Sequence, residues 1–222
     1  MRDEAEQKGD SEAVDLGTGR CLDAAAVGFG VVELRRYTLK PGTRETLVEL
    51  FDRQFVESQE ALGMPILGTF RDLDDPDQFV WLRAFADMAS RAPALHAFYS
   101  GPVWKENSAA ANATMVDVDN VLLLRPADDG PRLEHDPGRR PPVGVREREG
   151  LLTVTISPAG SEVTGDPLAR YVTEHGRNEF PALPVRDDVD VVVALWSSDP
   201  PGDLPAGTET LRLRPTPRSL LP

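Results

Sequence analysis

Four aspartates fall within six positions in the stretch "DLDDPD", residues 72–77. A carboxylate cluster of that density is the first place to look for a hard cation. A calcium loop needs a glycine at its sharp turn and a distal bidentate glutamate, and neither follows here. The Asp-Pro step and the neighbouring aspartates suit a turn instead, in which carboxylates accept hydrogen bonds from local backbone N–H groups. His96, His135 and His175 stand far apart, and Cys21 is the only cysteine, so no zinc-type ligand spacing arises. No metal and no cofactor is expected.

Other chemistry-bearing residues are sparse. His96 lies near Phe98, Tyr99 and Trp104. A histidine beside a tyrosine can serve as acid or base if both reach a cavity; the alternative is a hydrogen-bonded helix residue. Ser90, Ser100 and Ser108 stand in no nucleophile-elbow context. "GFG" at 28–30 is too short for a phosphate loop.

The remaining candidates come from strand alternation. Glu33, Arg35 and Tyr37 share one face of a strand, as do Phe79, Trp81, Arg83 and Phe85 of another. If these faces point away from the helices, they line a barrel interior with aromatic walls and convergent polar groups, as small-molecule sites are built. The alternative is a set of cross-strand ion pairs and aromatic contacts with no ligand. On the first reading Glu33, Arg35, Tyr37, Trp81, Arg83 and His96 bind the ligand. The opposite faces (Val32, Leu34 and Arg36, with Val80, Leu82 and Ala84) then belong to the helix side, where Arg36 fits only near an edge.

The elements that must position these residues follow from periodicity. A strand at 31–37 leads through "KPG" to a helix whose N-cap is Gly42 or Thr43. Its stripe is Leu47, Leu50, Phe51, Phe55, Ser58 and Leu62, with Gly63 as the residue that ends it. Strands at 64–71 and 78–85 flank the aspartates. A helix runs from about 89 to 99, and Pro102 starts another. A strand at 118–126 closes a β-α-β-β-α-β unit, the ferredoxin-like arrangement with strand order 4-1-3-2.

After a proline- and glycine-rich linker at 127–144 the pattern restarts. "LLTVTISPAG" echoes "VVELRRYTLKPG", "DVDVVVALWSS" echoes "PDQFVWLRAF", and "ETLRLRPTP" echoes "DNVLLLRPA". A helix is expected at about 166–179, but "SSDPPGDLPAGTET" is too short and proline-rich to hold the second one. The expected organisation is an acidic, disordered or loosely held tail at 1–30, a first unit at 31–126, a reduced second unit at 145–217 and a short tail at 218–222.

The chain has 222 residues, 40% of them hydrophobic and 27% charged, with a formal net charge of −13. That charge opposes binding to nucleic acid and to anionic membranes. No apolar run approaches the roughly 20 residues needed to span a bilayer, and the first residues lack the apolar core of a secretory signal. A cytoplasmic protein is expected. Arginine exceeds lysine and alanine is abundant, a bias typical of GC-rich bacterial genomes.

"ELRRYTLKPG", "LGMPILGTFRD", "DPDQFVWLRAF" and "AFYSGPVW", in that order and spacing, closely resemble the NIPSNAP family, densely over residues 31–126 and weakly over 151–217. The resemblance implies a dimeric α/β-barrel-like arrangement in which two ferredoxin-like units pack sheet to sheet. It supplies no catalytic motif. The expected fold class is thus α+β, with tandem ferredoxin-like repeats and the second one reduced. The expected role is binding of a small apolar or aromatic molecule, or a protein partner, at the sheet face between the repeats. The alternative is a cofactor-independent enzyme, of monooxygenase or isomerase type, using the same cavity. A homodimer is expected to cover any strand edges that the reduced half leaves open.

Overall fold

The computed structural model describes residues 28–127, 130–145 and 149–222. Most of the expected acidic tail, with Cys21, lies outside the described residues. Among the described residues there are eight strands: β1 (Val31–Leu39), β2 (Ile66–Asp72), β3 (Gln78–Phe85), β4 (Met115–Pro126), β5 (Leu152–Pro158), β6 (Ala169–Thr173), β7 (Val191–Trp196) and β8 (Glu209–Pro215). They hydrogen-bond in the order β1-β3-β2-β8-β5-β7-β6-β4 and close into a barrel. Every neighbouring pair is antiparallel. Closure pairs each of these strands on both sides and leaves none with an open edge.

The helices α1 (Arg44–Leu50), α2 (Val56–Glu60), α3 (Met88–Ser100) and α4 (Pro102–Thr114) all belong to the first half. The mixed α and β fold therefore has two buried layers. Val32, Leu34, Val80, Leu82, Val154, Val193 and Leu213 meet inside the barrel. Leu47, Phe51, Phe55, Trp81, Leu95 and Phe98 meet between the first-half strands and the helices.

This arrangement reverses the expected faces. Glu33, Arg35, Tyr37, Trp81 and Arg83 turn towards the helices, and Val32, Leu34, Val80 and Leu82 fill the barrel. The reason is solvation. An interior enclosed by sheet on all sides supplies few groups to pair with buried charge, so apolar residues take it. Arg36 occupies the barrel mouth, where its guanidinium reaches Glu209 at 2.8 Å.

The helix expected at 166–179 is also replaced. Residues 169–173 form β6, which pairs with both β4 and β7 and completes the barrel. Its burial alternates with period two, the signature of a strand. The outer face of the second half has no helix among the described residues and is covered by loops. Trp196 Nε1 donates to Thr155 Oγ1 at 3.1 Å, and Ser157 and Thr208 hydroxyls share a bond at 2.9 Å.

The aspartate stretch is the β2–β3 turn. Asp72 Oδ1 accepts from the N–H groups of Asp74 and Asp75 at 2.8 and 3.1 Å, and Asp75 Oδ1 from that of Asp77 at 2.9 Å. Arg44 donates to the carbonyls of Asp72, Asp75 and Gln78 and clamps the turn against α1. No group of side chains suited to a metal ion occurs among the described residues, and none of their helices is long and apolar enough to cross a membrane.

Beyond β8 the chain folds back on the first half. Arg218 donates to the Asp52 carbonyl and to both carboxylate oxygens of Glu57. Thr69 and Thr216 hydroxyls lie 2.6 Å apart. Beneath this clasp, burial pushes the Asp52 carboxyl up to about 6, although Arg218 opposes the shift. Its folded value lies above the unfolded value near 3.8, so its stabilising contribution is complete below 3.8 and lost as pH rises through about 6. The stability advantage of Asp52→Asn over the parent should thus grow from pH 4 to pH 7, by on the order of 2 kcal/mol. Urea unfolding across that range measures it.

Candidate functional site

The register of β1 against β3 builds the site. It sets Glu33 opposite Arg83, Arg35 opposite Trp81 and Tyr37 opposite Phe79. Across such pairs side chains on one face touch, so a glutamate, two arginines and an aromatic wall come together beneath the helices.

Two helical residues complete the set. Asp87 caps α3 by accepting from the Ser90 N–H at 2.7 Å, which fixes the turn that carries Arg91. Arg91 then shares a buried stripe with Leu95 and Phe98. Gln59 arrives by a different route. The helical segment is not uniform: Phe51–Phe55 forms a π-helical turn between α1 and α2. One extra residue in a turn rotates everything beyond it by about 100°. The buried positions after it are therefore Val56 and Gln59, not the expected Ser58 and Leu62.

Glu33 is the hub. Its Oε2 accepts from Arg35 Nη1 at 2.9 Å, Arg83 Nη2 at 2.6 Å and Arg83 Nε at 3.1 Å. Its Oε1 accepts from Arg91 Nε at 2.7 Å. Arg83 also donates to Gln59 Oε1 at 2.8 Å, and Arg91 to Asn178 Oδ1 at 2.8 Å. All four charged side chains are at most 1% exposed. Burial alone would raise the Glu33 carboxyl, but Arg83, Arg35 and Arg91 together hold it well below the usual carboxylate range. Among the described residues no other carboxylate pairs with these three arginines.

Against this cluster lies a cavity of about 100 Å³. Tyr37 and Trp81 contribute from the sheet, Phe51, Phe55 and Gln59 from the first helical segment, and Phe98, Tyr99, Trp104 and Asn112 from α3 and α4. The rings pack edge-on, with centroids 4.9 Å apart for Phe51–Trp81 and for Tyr99–Trp104, the offset geometry that aromatic quadrupoles favour. Arg35 donates from Nε to the Tyr37 hydroxyl at 3.1 Å, and its guanidinium lies 5.4 Å from the Trp81 centroid. Burial pushes the Tyr37 hydroxyl above its ordinary value, so the phenol stays neutral.

One side of the cavity comes from the second half. The β6–β7 connection brings Leu183 into the lining, stacks Phe180 on Tyr99 at 5.9 Å and joins Asn178 to Arg91.

The structure thus brings together Glu33, Arg35, Tyr37, Trp81 and Arg83 from the sequence-based set, on the helix side of the sheet. It does not bring in His96, which is exposed on α3. Sequence reasoning missed Gln59, Arg91 and Asn178. The i, i+4, i+7 spacing of Arg91 with Leu95 and Phe98 was a usable signal; the π-turn that redirects Gln59 left none.

The family model for NIPSNAP matches residues 32–131. Over those residues the chain is similar to the NIPSNAP family. No match is found among curated proteins. Among solved structures, an uncharacterized NIPSNAP-like domain protein from Burkholderia xenovorans is 24% identical, with 52% of this chain and 95% of that one covered and a TM-score of 0.43. A NIPSNAP family protein of unknown function from Agrobacterium tumefaciens is 20% identical, over 48% and 96%, at 0.44. A Fusobacterium nucleatum protein named as a candidate monooxygenase is 9% identical, over 85% and 93%, at 0.49. The matched segment holds Glu33, its three arginines and most of the cavity wall, whereas Asn178, Phe180 and Leu183 lie beyond it.

Glu33→Gln should lower stability at pH 7 by about 3–5 kcal/mol, because three guanidiniums lose their shared counter-charge. The folded value of Glu33 lies below the unfolded one near 4.5. Its contribution is therefore present above 4.5 and lost as pH falls towards the folded value. Unfolding curves of parent and variant should draw together in acid.

Proposed function

We propose that this chain binds a small organic molecule, about one ring in size, in the aromatic cavity between the NIPSNAP sheet and its helices. The carrying observation is the cavity itself, walled by aromatic side chains and backed by buried polar groups, the usual construction of a small-molecule site. An engineered cavity of about 150 Å³ accepts benzene, which sets the scale. The expected ligand position between the two sheets has less support, since that interior is filled by valines and leucines. A protein-partner role also has less support, because the exposed large apolar residues Leu62, Leu73, Val116, Val143 and Leu204 come from separate segments.

In this reading the chain is two ferredoxin-like units fused in tandem, the second reduced to its strands. The neighbour order β4-β1-β3-β2 recurs as β8-β5-β7-β6, and that recurrence supports the repeat. Its consequence is functional: the second half supplies in one chain a cover for the cavity of the first.

A second reading, cofactor-independent catalysis, is favoured by one observation. The Tyr37 hydroxyl, a proton donor fixed by Arg35, stands in the cavity wall beside Trp81. Tyr37→Phe would then keep binding and lose turnover of the bound molecule.

Native mass spectrometry of the protein purified from a cell extract should detect a small-molecule adduct. Leu183→Trp, which fills the cavity from the second half, should lose the adduct while keeping its circular dichroism. A bare mass for the parent chain contradicts the binding reading.

A further inference from the structure

Resting on that binding reading, we propose that the molecule taken by the cavity is an anion, a planar carboxylate or enolate, met by Trp81 and Tyr37 in the cavity wall, with the Arg35 charge directly behind them.

The first argument is charge. Three guanidiniums share one carboxylate in a region that water does not reach, and buried charge that is not balanced is strongly unfavourable. Arg35 carries the imbalance nearest the cavity. Its guanidinium lies 5.4 Å from the ring centroids of Tyr37 and Trp81, both of which form the cavity wall.

The second argument is hydrogen bonding and is independent of the first. Arg35 Nη2 and Trp81 Nε1 have no acceptor among the described residues, although Arg35 is 0% and Trp81 2% exposed. Buried donors in folded proteins almost always find acceptors. The Tyr37 hydroxyl accepts from Arg35, and its own proton is a third donor for which no acceptor is seen among the described residues. Cation–π contact with Trp81 eases the Arg35 charge, but it offers no acceptor to an N–H. Donors gathered in and directly behind the aromatic wall fit a flat ring bearing an acceptor-only group. A cationic ligand would meet like charge, and a hydrated inorganic anion would gain nothing from the rings.

The test uses three isosteric one-ring probes at pH 7: benzoate (anionic), benzamide (neutral) and benzamidinium (cationic), each titrated calorimetrically against the full chain. Benzoate should bind at least about tenfold more tightly than benzamide, the scale of a charge-assisted hydrogen bond, and benzamidinium should not bind. Trp81→Phe keeps the ring and removes the indole N–H. It should weaken benzoate by about tenfold and benzamide far less. Benzamide or benzamidinium binding as tightly as benzoate overturns the anion assignment and leaves the cavity reading standing. Failure of all three to bind overturns both. Benzoate affinity unchanged in Trp81→Phe overturns the part given to Trp81.

Discussion

Glu33 is a single carboxylate that holds three guanidiniums out of water, and the placement of much else follows from that fact. An isolated buried charge is too costly to keep, and an ion cluster is tolerable only when its lone pairs and protons find partners. Those partners cannot all come from one strand. Arg83 arrives across the β1–β3 ladder, Arg91 from the capped start of α3, and Gln59 from a helix re-aimed by a π-helical turn. The cluster therefore demands that sheet and helices meet in one register, and it cements the two layers of the first half. What it leaves over is an excess of positive charge and unpaired N–H groups beside the aromatic rings of the neighbouring cavity.

The barrel explains why that chemistry sits outside and not within. Closing eight antiparallel strands removes every edge, but it also encloses the inner face in backbone and apolar side chains. Polar residues of the first half are thus driven to the helix side, where helices can present partners. In the second half the outer face is closed by loops instead, with Trp196 and Thr155 bonded beneath a proline-rich segment. The β6–β7 connection is left long enough to reach across to Tyr99 and Arg91. The two halves are in this sense unequal: one supplies most of the cavity wall, and the other covers it.

Much of this was legible in the sequence. The first-half strands, their 4-1-3-2 neighbour order and the turn made by Asp72–Asp77 follow from alternation and turn chemistry, and Gly63, with φ of +77°, ends its helix where expected. The alternating set of Glu33, Arg35, Tyr37, Trp81 and Arg83 was also visible as a set. Its direction was not, because both faces of these strands are buried and alternation alone does not say which buried layer is which. Arg36, which suited the helix side poorly, was the residue that pointed to the right answer. The strand at 169–173 was hidden for a different reason: five residues carry little periodicity, and barrel closure decides their conformation. Gln59 was hidden because a π-turn shifts the helical face without a sequence signal that periodicity can register.

The account stands on Glu33 being an ionised, buried hub. The most direct measurement is a ¹³C NMR titration of its side-chain carboxyl in the folded protein. The account predicts a carboxylate signal that stays constant through pH 4.5 and moves only with acid unfolding. A titration step near the ordinary carboxylate value, with the fold intact, would contradict it.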